Sequence, residues 1–262
     1  MSIFRRRLLF QQSYLPKWFT DSLVCWYDVG KQGASNELLK LNPILKDFSK
    51  NHLDLNLHNF AFSGMSGVGG YLTTFDDFYT IASHPERQDH EVSTYKFKII
   101  NQNVGGVGNY AYQIKEGATL KIRIKVTGLS DGNALTTSDN IFTTNKDGEF
   151  LIIDKNVLSN NRGVSFALKN VQQNANVTIE VLPEYPGGLV FDGVDDYGIS
   201  ENQPHVNGTI ISKMDDVSCS IDTNTLKIGK IGKQDALYQF LRFNRKLTDE
   251  EINWVKTKII GG

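Results

Sequence analysis

The stretch Leu120–Val126, LKIRIKV, places an apolar side chain at every second position and a cation at each position between. Successive side chains alternate between two faces only in an extended strand. This period therefore puts Leu120, Ile122, Ile124 and Val126 on a buried face and Lys121, Arg123 and Lys125 in water. On a helix the same residues would mix cations and apolar groups around the axis and leave no stripe to bury. The neighbouring segments TYKFKII, GEFLIID, VSFALKN and NVTIEVLP are also strand-like, and TGLSDGN, NKDG and SNNRG between them carry the Gly, Asn and Asp of tight turns. Short strands at this spacing predict a small antiparallel β-sandwich over residues 93–185.

Two segments bracket that block. HPERQDHEVS, His84–Ser93, is charged and poor in apolar residues, and LPEYPGG, Leu182–Gly188, holds two prolines and two glycines; both read as crossing points between domains. Ahead of the first, WFTDSLVCWYDVG reads as an aromatic strand ending at Gly30. Pro43 then excludes a long helix, and Leu53, Leu55 and Leu57 alternate as on a half-buried strand. After the second, Thr248 and Glu251 have the spacing of a capping box. Ile252, Val255 and Ile259 follow on one helical face, so a short terminal helix docked on a sheet is predicted. The expected organisation is all-β: an arm over 1–17, an outer domain in two pieces, 18–92 and 186–262, an inserted sandwich over 93–185, and a short C-terminal helix.

Charge narrows the partners. Lys and Arg number 28 against 29 Asp and Glu, so a net charge of −1 provides no general attraction to nucleic acid or to an acidic membrane. Leu8, Leu9 and Phe10 follow a basic cluster but stop at Gln11, short of a secretory core, and no run reaches the roughly 18 apolar residues that span a bilayer. Cys25 and Cys219 lack the paired spacing of a zinc or redox site and read as buried thiols.

The densest cluster of chemistry is LVFDGVDDYG, with Asp192, Asp195 and Asp196 within five positions. Asp192–Gly193 favours a tight turn, because glycine tolerates positive φ and aspartate bonds nearby amides, after which Val194 and Tyr197 are expected to rejoin an apolar face. The alternating oxygens and later glutamate of a helix-loop-helix calcium site are missing, and nothing sets two carboxylates across a substrate. Asp192, Gly193, Asp195 and Asp196 are therefore expected to form a structural turn, with no catalytic residue, metal or cofactor. SGMSGVGGY lacks the Lys-Ser/Thr of a phosphate loop, His52, His58, His84, His90 and His205 form no ligand pattern, and no G-x-S-x-G elbow occurs. Most aromatic residues should fill the core. In YLTTFDDFYT, Tyr71, Phe75, Asp76 and Asp77 are the candidates to face a ligand.

Taken together, LVFDGVDDYG, LKIGK and LYQFLRFNRKLTDEEINWVK resemble the concanavalin A-like, laminin-G-type jelly roll. The segment WYDVGKQG…LKDFSKN…LHNFAFSGMSGVGGY, behind FRRRLL, resembles the same module in virion proteins of crAss-like tailed phages of gut Bacteroidetes. The resemblance covers the chain up to about residue 92 and from about 186, with an immunoglobulin-like block between. It departs from the family between Tyr197 and Leu226, where GTIISKMDDVSCSI stands in place of several long strands, so that the roll is either shortened or completed by the insert. The resemblance implies a non-enzymatic virion protein displayed on the particle as a head fibre or capsid decoration. Its implied partners are capsid or other virion proteins, further copies of itself as a trimer, and host surface glycans. A different class, a carbohydrate-binding adhesion module of a tail appendage or bacterial glycan system, is the alternative. In the virion reading Arg5, Arg6 and Arg7 pair with carboxylates on the capsid, and Leu8, Leu9 and Phe10 fill a groove.

Overall fold

The computed structural model describes residues 15–75, 78–81, 90–102, 110–113, 120–129, 132–137, 141–154, 166–169, 175–215, 219–222, 224–229, 232 and 234–261. The chain divides into two units, Met1–Gly70 with Gly187–Gly262, and Tyr71–Pro186. The first boundary lies ahead of His84–Ser93, where the sequence places the crossing, so residues 71–92 fall in the second unit and not with the first lobe.

The first unit begins with helix α1 (Lys17–Ser22) and strand β1 (Leu23–Asp28). The aromatic strand expected from Trp18 onward is thus a helical turn before it is a strand. In a strand Trp18 and Phe19 would point to opposite faces; on α1 both rings meet Trp254, with centroids at 5.6 Å, and Phe19 also packs edge-on to Trp26 and Phe243. Helices α2 (Val29–Gln32) and α3 (Asn36–Leu41) follow, and α3 stops before Pro43. Strands β2 (Ile44–Leu45), β3 (Leu55–His58) and β4 (Gly67–Val68) complete this half. In β3 the alternation holds, with Leu55 and Leu57 buried and Asn56 and His58 exposed.

The second unit contains β5 (Phe78–Ile81), β6 (His90–Ser93), β7 (Lys96–Gln102), β8 (Tyr110–Gln113), β9 (Leu120–Thr127), β10 (Ala134–Thr137), β11 (Thr143–Thr144), β12 (Gly148–Asp154), β13 (Phe166–Lys169) and β14 (Ala175–Val181). One antiparallel sheet runs β12-β9-β14-β7-β6, a second runs β11-β10-β13, and β5 pairs with β8. The period-two reading of β9 is realised: Ile122, Ile124 and Val126 are fully buried while Lys121 and Lys125 are exposed. The buried face meets Leu135, Phe166 and Leu168 of the three-stranded sheet in one apolar cluster. Each such side chain contributes about 1.5–3 kcal/mol.

The chain then re-enters the first unit with β15 (Leu189–Phe191), β16 (Tyr197–Ser200), β17 (Ile210–Asp215), β18 (Cys219–Asp222), β19 (Thr225–Ile228), β20 (Asp235–Phe243) and α4 (Asp249–Val255), which runs into a π-helical turn over Lys256–Ile260. β17 lies along β20, while β1 and β15 pair with the two ends of its opposite edge and β4 extends β15; the other sheet runs β18-β19-β16-β3-β2. Between the two sheets Cys25, Tyr27, Leu189, Phe191, Leu237 and Phe240 pack on Leu45, Leu55, Leu57, Leu226 and Ile228. On the far side of the β20 sheet, Leu23, Trp26, Leu241 and Phe243 pack on Phe19 and Val255 from the helices. Leu237 and Phe240 share a core despite their odd spacing because the ladder skips Tyr238: Lys213 faces Gln239 and Met214 faces Leu237. The bulge resets which side chains point inward.

Arg242 is buried to 1% exposure between these sheets. Its Nη1 donates to Gln203 Oε1 at 2.9 Å and its Nη2 to the carbonyls of Pro204 (2.8 Å) and Val206 (3.3 Å). Gln203 Nε2 donates in turn to Ser200 Oγ at 2.9 Å, which fastens the connection from β16 to β17. Burial of the neighbouring Cys25 thiol pushes its pKa up to about 12, so it stays protonated as a packing group.

Two outcomes follow from this architecture. Residues 71–186 expressed alone give one cooperative thermal transition by circular dichroism, because their cores close internally; a disordered spectrum refutes their autonomy. Arg242→Met destabilises the chain by at least about 2 kcal/mol in denaturant titration, because it orphans buried acceptors, and Arg242→Lys does not restore the loss because an ammonium cannot reproduce the planar fork.

Candidate functional site

β15 belongs to one sheet and β16 to the other, so Asp192–Asp196 is the turn that carries the chain between the two layers of the first unit. Asp192 Oδ1 accepts from the Val194 amide at 2.7 Å and from the Asp195 amide at 3.4 Å, and the Asp192 amide donates to Asp196 Oδ2 at 3.0 Å. Gly193 at the apex has φ 80°, which a side chain would strain. Distant residues hold the backbone of the turn: Gly232 N–H donates to the Gly193 carbonyl at 2.6 Å, and Asn59 Nδ2 donates to the Asp195 carbonyl at 3.1 Å. Gly229, at φ 103°, allows the close approach, since a Cβ there would stand 2.9 Å from the Asp196 carbonyl and 2.7 Å from the Phe191 ring.

Tight-turn chemistry therefore accounts for Asp192 and Gly193. Val194 departs from expectation: it is 67% exposed at the apex, because the layer crossing lifts the apex away from either core. Tyr197 is half-buried between the His58 ring, stacked at 4.9 Å, and Lys227 Nζ at 4.4 Å from its centroid, so both of its faces are occupied.

The turn also draws three carboxylates together. One oxygen each from Asp192, Asp195 and Asp196 lies within 4.8 Å of the other two, graded from buried Asp196 through half-buried Asp192 to exposed Asp195. Asp196 is 4% exposed, and its Oδ1 has no hydrogen-bond partner. Burial pushes the Asp196 pKa above the ordinary carboxylate range. Hydrogen bonding from the Asp192 amide and the Ser66 hydroxyl opposes that rise, and the charges of Asp192 and Asp195 add to it.

The remaining sequence candidates lie elsewhere. Phe75 does not face a ligand: it is 2% exposed and packs on Phe97 and Phe166 in the core of the second unit, where an aromatic ring is better accommodated than in water. Tyr71 is half-buried on that same core, with its ring 4.5 Å from that of Tyr95. Asp76 and Asp77 lie outside the described residues, as do Arg5, Arg6, Arg7, Leu8, Leu9 and Phe10. Thr248 and Glu251 form the full capping box, and Arg245 holds Glu251 with donations of 2.8 and 2.6 Å. The contributions of Asn59, Ser66, Gly229 and Gly232 to the turn carry no local sequence signal, since each is brought in from another strand connection.

Comparison with family models, with curated proteins and with solved structures finds no match to this chain.

In the absence of divalent cations, Asp195→Asn removes one of the two neighbouring negative charges. The Asp196 pKa then falls while staying above the ordinary range, because burial, the larger cause, is untouched; a carboxyl-carbon NMR titration reads both.

Proposed function

We propose that this chain is a non-enzymatic structural protein of a tailed phage particle, displayed on the particle surface as a head fibre or capsid decoration. In this reading the first unit is a concanavalin A-like jelly roll and the second an immunoglobulin-like insert. The observation that carries it is the pairing of β1, from before the second unit, and of β15 and β17, from after it, with the single strand β20. A jelly roll interrupted by an insert would need such a pairing to close, which supports the reading. Of the segments that resemble the virion family, DGVDDY makes the crossing between the sheets, and LTDEEI begins the helix packed on the β20 sheet.

A structural role also suits the acidic turn, where one oxygen of Asp192 and one of Asp196 fix backbone amides. In the proposal Arg5, Arg6 and Arg7 pair with carboxylates on a capsid or neighbouring subunit. Leu8, Leu9 and Phe10 add burial, and copies gather as a symmetric trimer at a capsid position, where they contact host surface glycans.

Deleting residues 1–15 leaves a folded chain that no longer joins particles, read as its stoichiometry in a mass-spectrometric inventory of purified virions. Normal occupancy by the truncated chain overturns the anchor, and absence of the full-length chain from virions overturns the proposal itself.

A further inference from the structure

A buried carboxylate oxygen without a donor is costly, on the order of 1–3 kcal/mol or more for a charged group. Such a group calls for a physical account, and a bound ion or water is one that removes the cost. Asp196 Oδ1 is in that position on a side chain 4% exposed, and its carboxylate converges with those of Asp192 and Asp195. None of the three carboxylates forms a salt bridge among the described residues. Hydrogen bonding within the turn consumes Asp192 Oδ1 and Asp196 Oδ2 but gives no reason for Asp195 to approach two like charges.

We propose that Asp192, Asp195 and Asp196 bind a divalent cation, calcium by preference, at the crossing between the two sheets of the first unit. This replaces the expectation of a purely structural turn without metal, and it stands independently of the virion reading. The donors are all hard carboxylate oxygens, with neither the imidazole nor the thiolate that favours zinc. The three oxygens lie within 4.8 Å of one another, inside the span of two calcium–oxygen bonds of about 2.4 Å, and calcium's flexible coordination accepts an irregular, partly exposed donor set more readily than the near-ideal octahedron magnesium demands. Asp196 forms the floor of the site, and exposed Asp195 forms its solvent side, where water completes the six to eight ligands calcium takes. Gly232 and Asn59 hold the backbone in place beforehand, so the ion meets a largely formed site. Bound there, it neutralises the clustered charge and ties β15 to β16.

The test uses the full-length chain stripped with EDTA and titrated with calcium chloride by isothermal calorimetry, alongside thermal unfolding with and without calcium. One ion binds per chain with a dissociation constant of about 1 mM or tighter, and the melting temperature rises by a few degrees. Asp195→Asn, at the exposed position, leaves the melting temperature in EDTA within about one degree of wild type but weakens calcium binding about tenfold or more and removes the calcium-dependent rise. Asp196→Asn likewise loses the rise. Absence of heat and of any melting shift in wild type at about 10 mM calcium overturns the proposal, as does calcium binding that survives unchanged in Asp195→Asn. Magnesium binding as tightly as calcium overturns the stated preference.

Discussion

The first unit depends on β20. Every residue from Ala236 to Phe243 except Tyr238 and Gln239 is buried, because one face of the strand meets the second sheet and the other meets the helices. A strand covered on both faces cannot alternate cleanly between apolar and polar, which is why ALYQFLRF reads as a nearly continuous hydrophobic run. Its hydrogen bonds are correspondingly long-range: Leu23 pairs with Phe243 and Leu189 with Leu237, so the ladder forms only once both pieces of the unit have met. Closing such large loops costs entropy that the apolar cores on both faces of β20 offset.

The polar features of the same unit serve that closure. Arg242 points into the sandwich and fastens Gln203, Pro204 and Val206, and Gln239, at the bulge, donates to Asp28 Oδ2 at 2.8 Å and to the Ile259 carbonyl at 3.3 Å. Asp47 is buried yet accepts from the amides of Trp26, Ser49 and Leu53, which pins the loop before β3 to β1. Not every buried group is satisfied: among the described residues Trp26 Nε1, Gln239 Oε1 and Asp196 Oδ1 of this unit have no hydrogen-bond partner, and the last of these lies in the carboxylate cluster. The same low-dielectric surroundings that strengthen the Arg242 network raise the cost of leaving that oxygen bare.

Local patterns were the legible part of this chain. The alternation of Ile122, Ile124 and Val126 with cations, the Leu55–Leu57 pair, the stop before Pro43 and the Thr248–Glu251 box each act through neighbours a few positions away, and each has its expected structure. Where side chains had to be assigned to one of several cores, local pattern failed. Trp18 and Phe19 sit on a helix because both must reach Trp254, Phe75 lies inside the second unit, and Tyr238 is skipped by the ladder.

The acidic turn divides the same way. From sequence alone Asp192–Gly193 determined a tight turn, since that dipeptide supplies both the side-chain acceptor and the positive φ within four residues. Only the tertiary structure decided that the turn would join two different sheets, that Asn59 and Gly232 would hold it, that the carboxylates of Asp195 and Asp196 would converge with that of Asp192, and that one Asp196 oxygen would be buried without a partner. Turn propensity is a property of adjacent residues, whereas the burial and convergence of carboxylates depend on which distant strands pack around them.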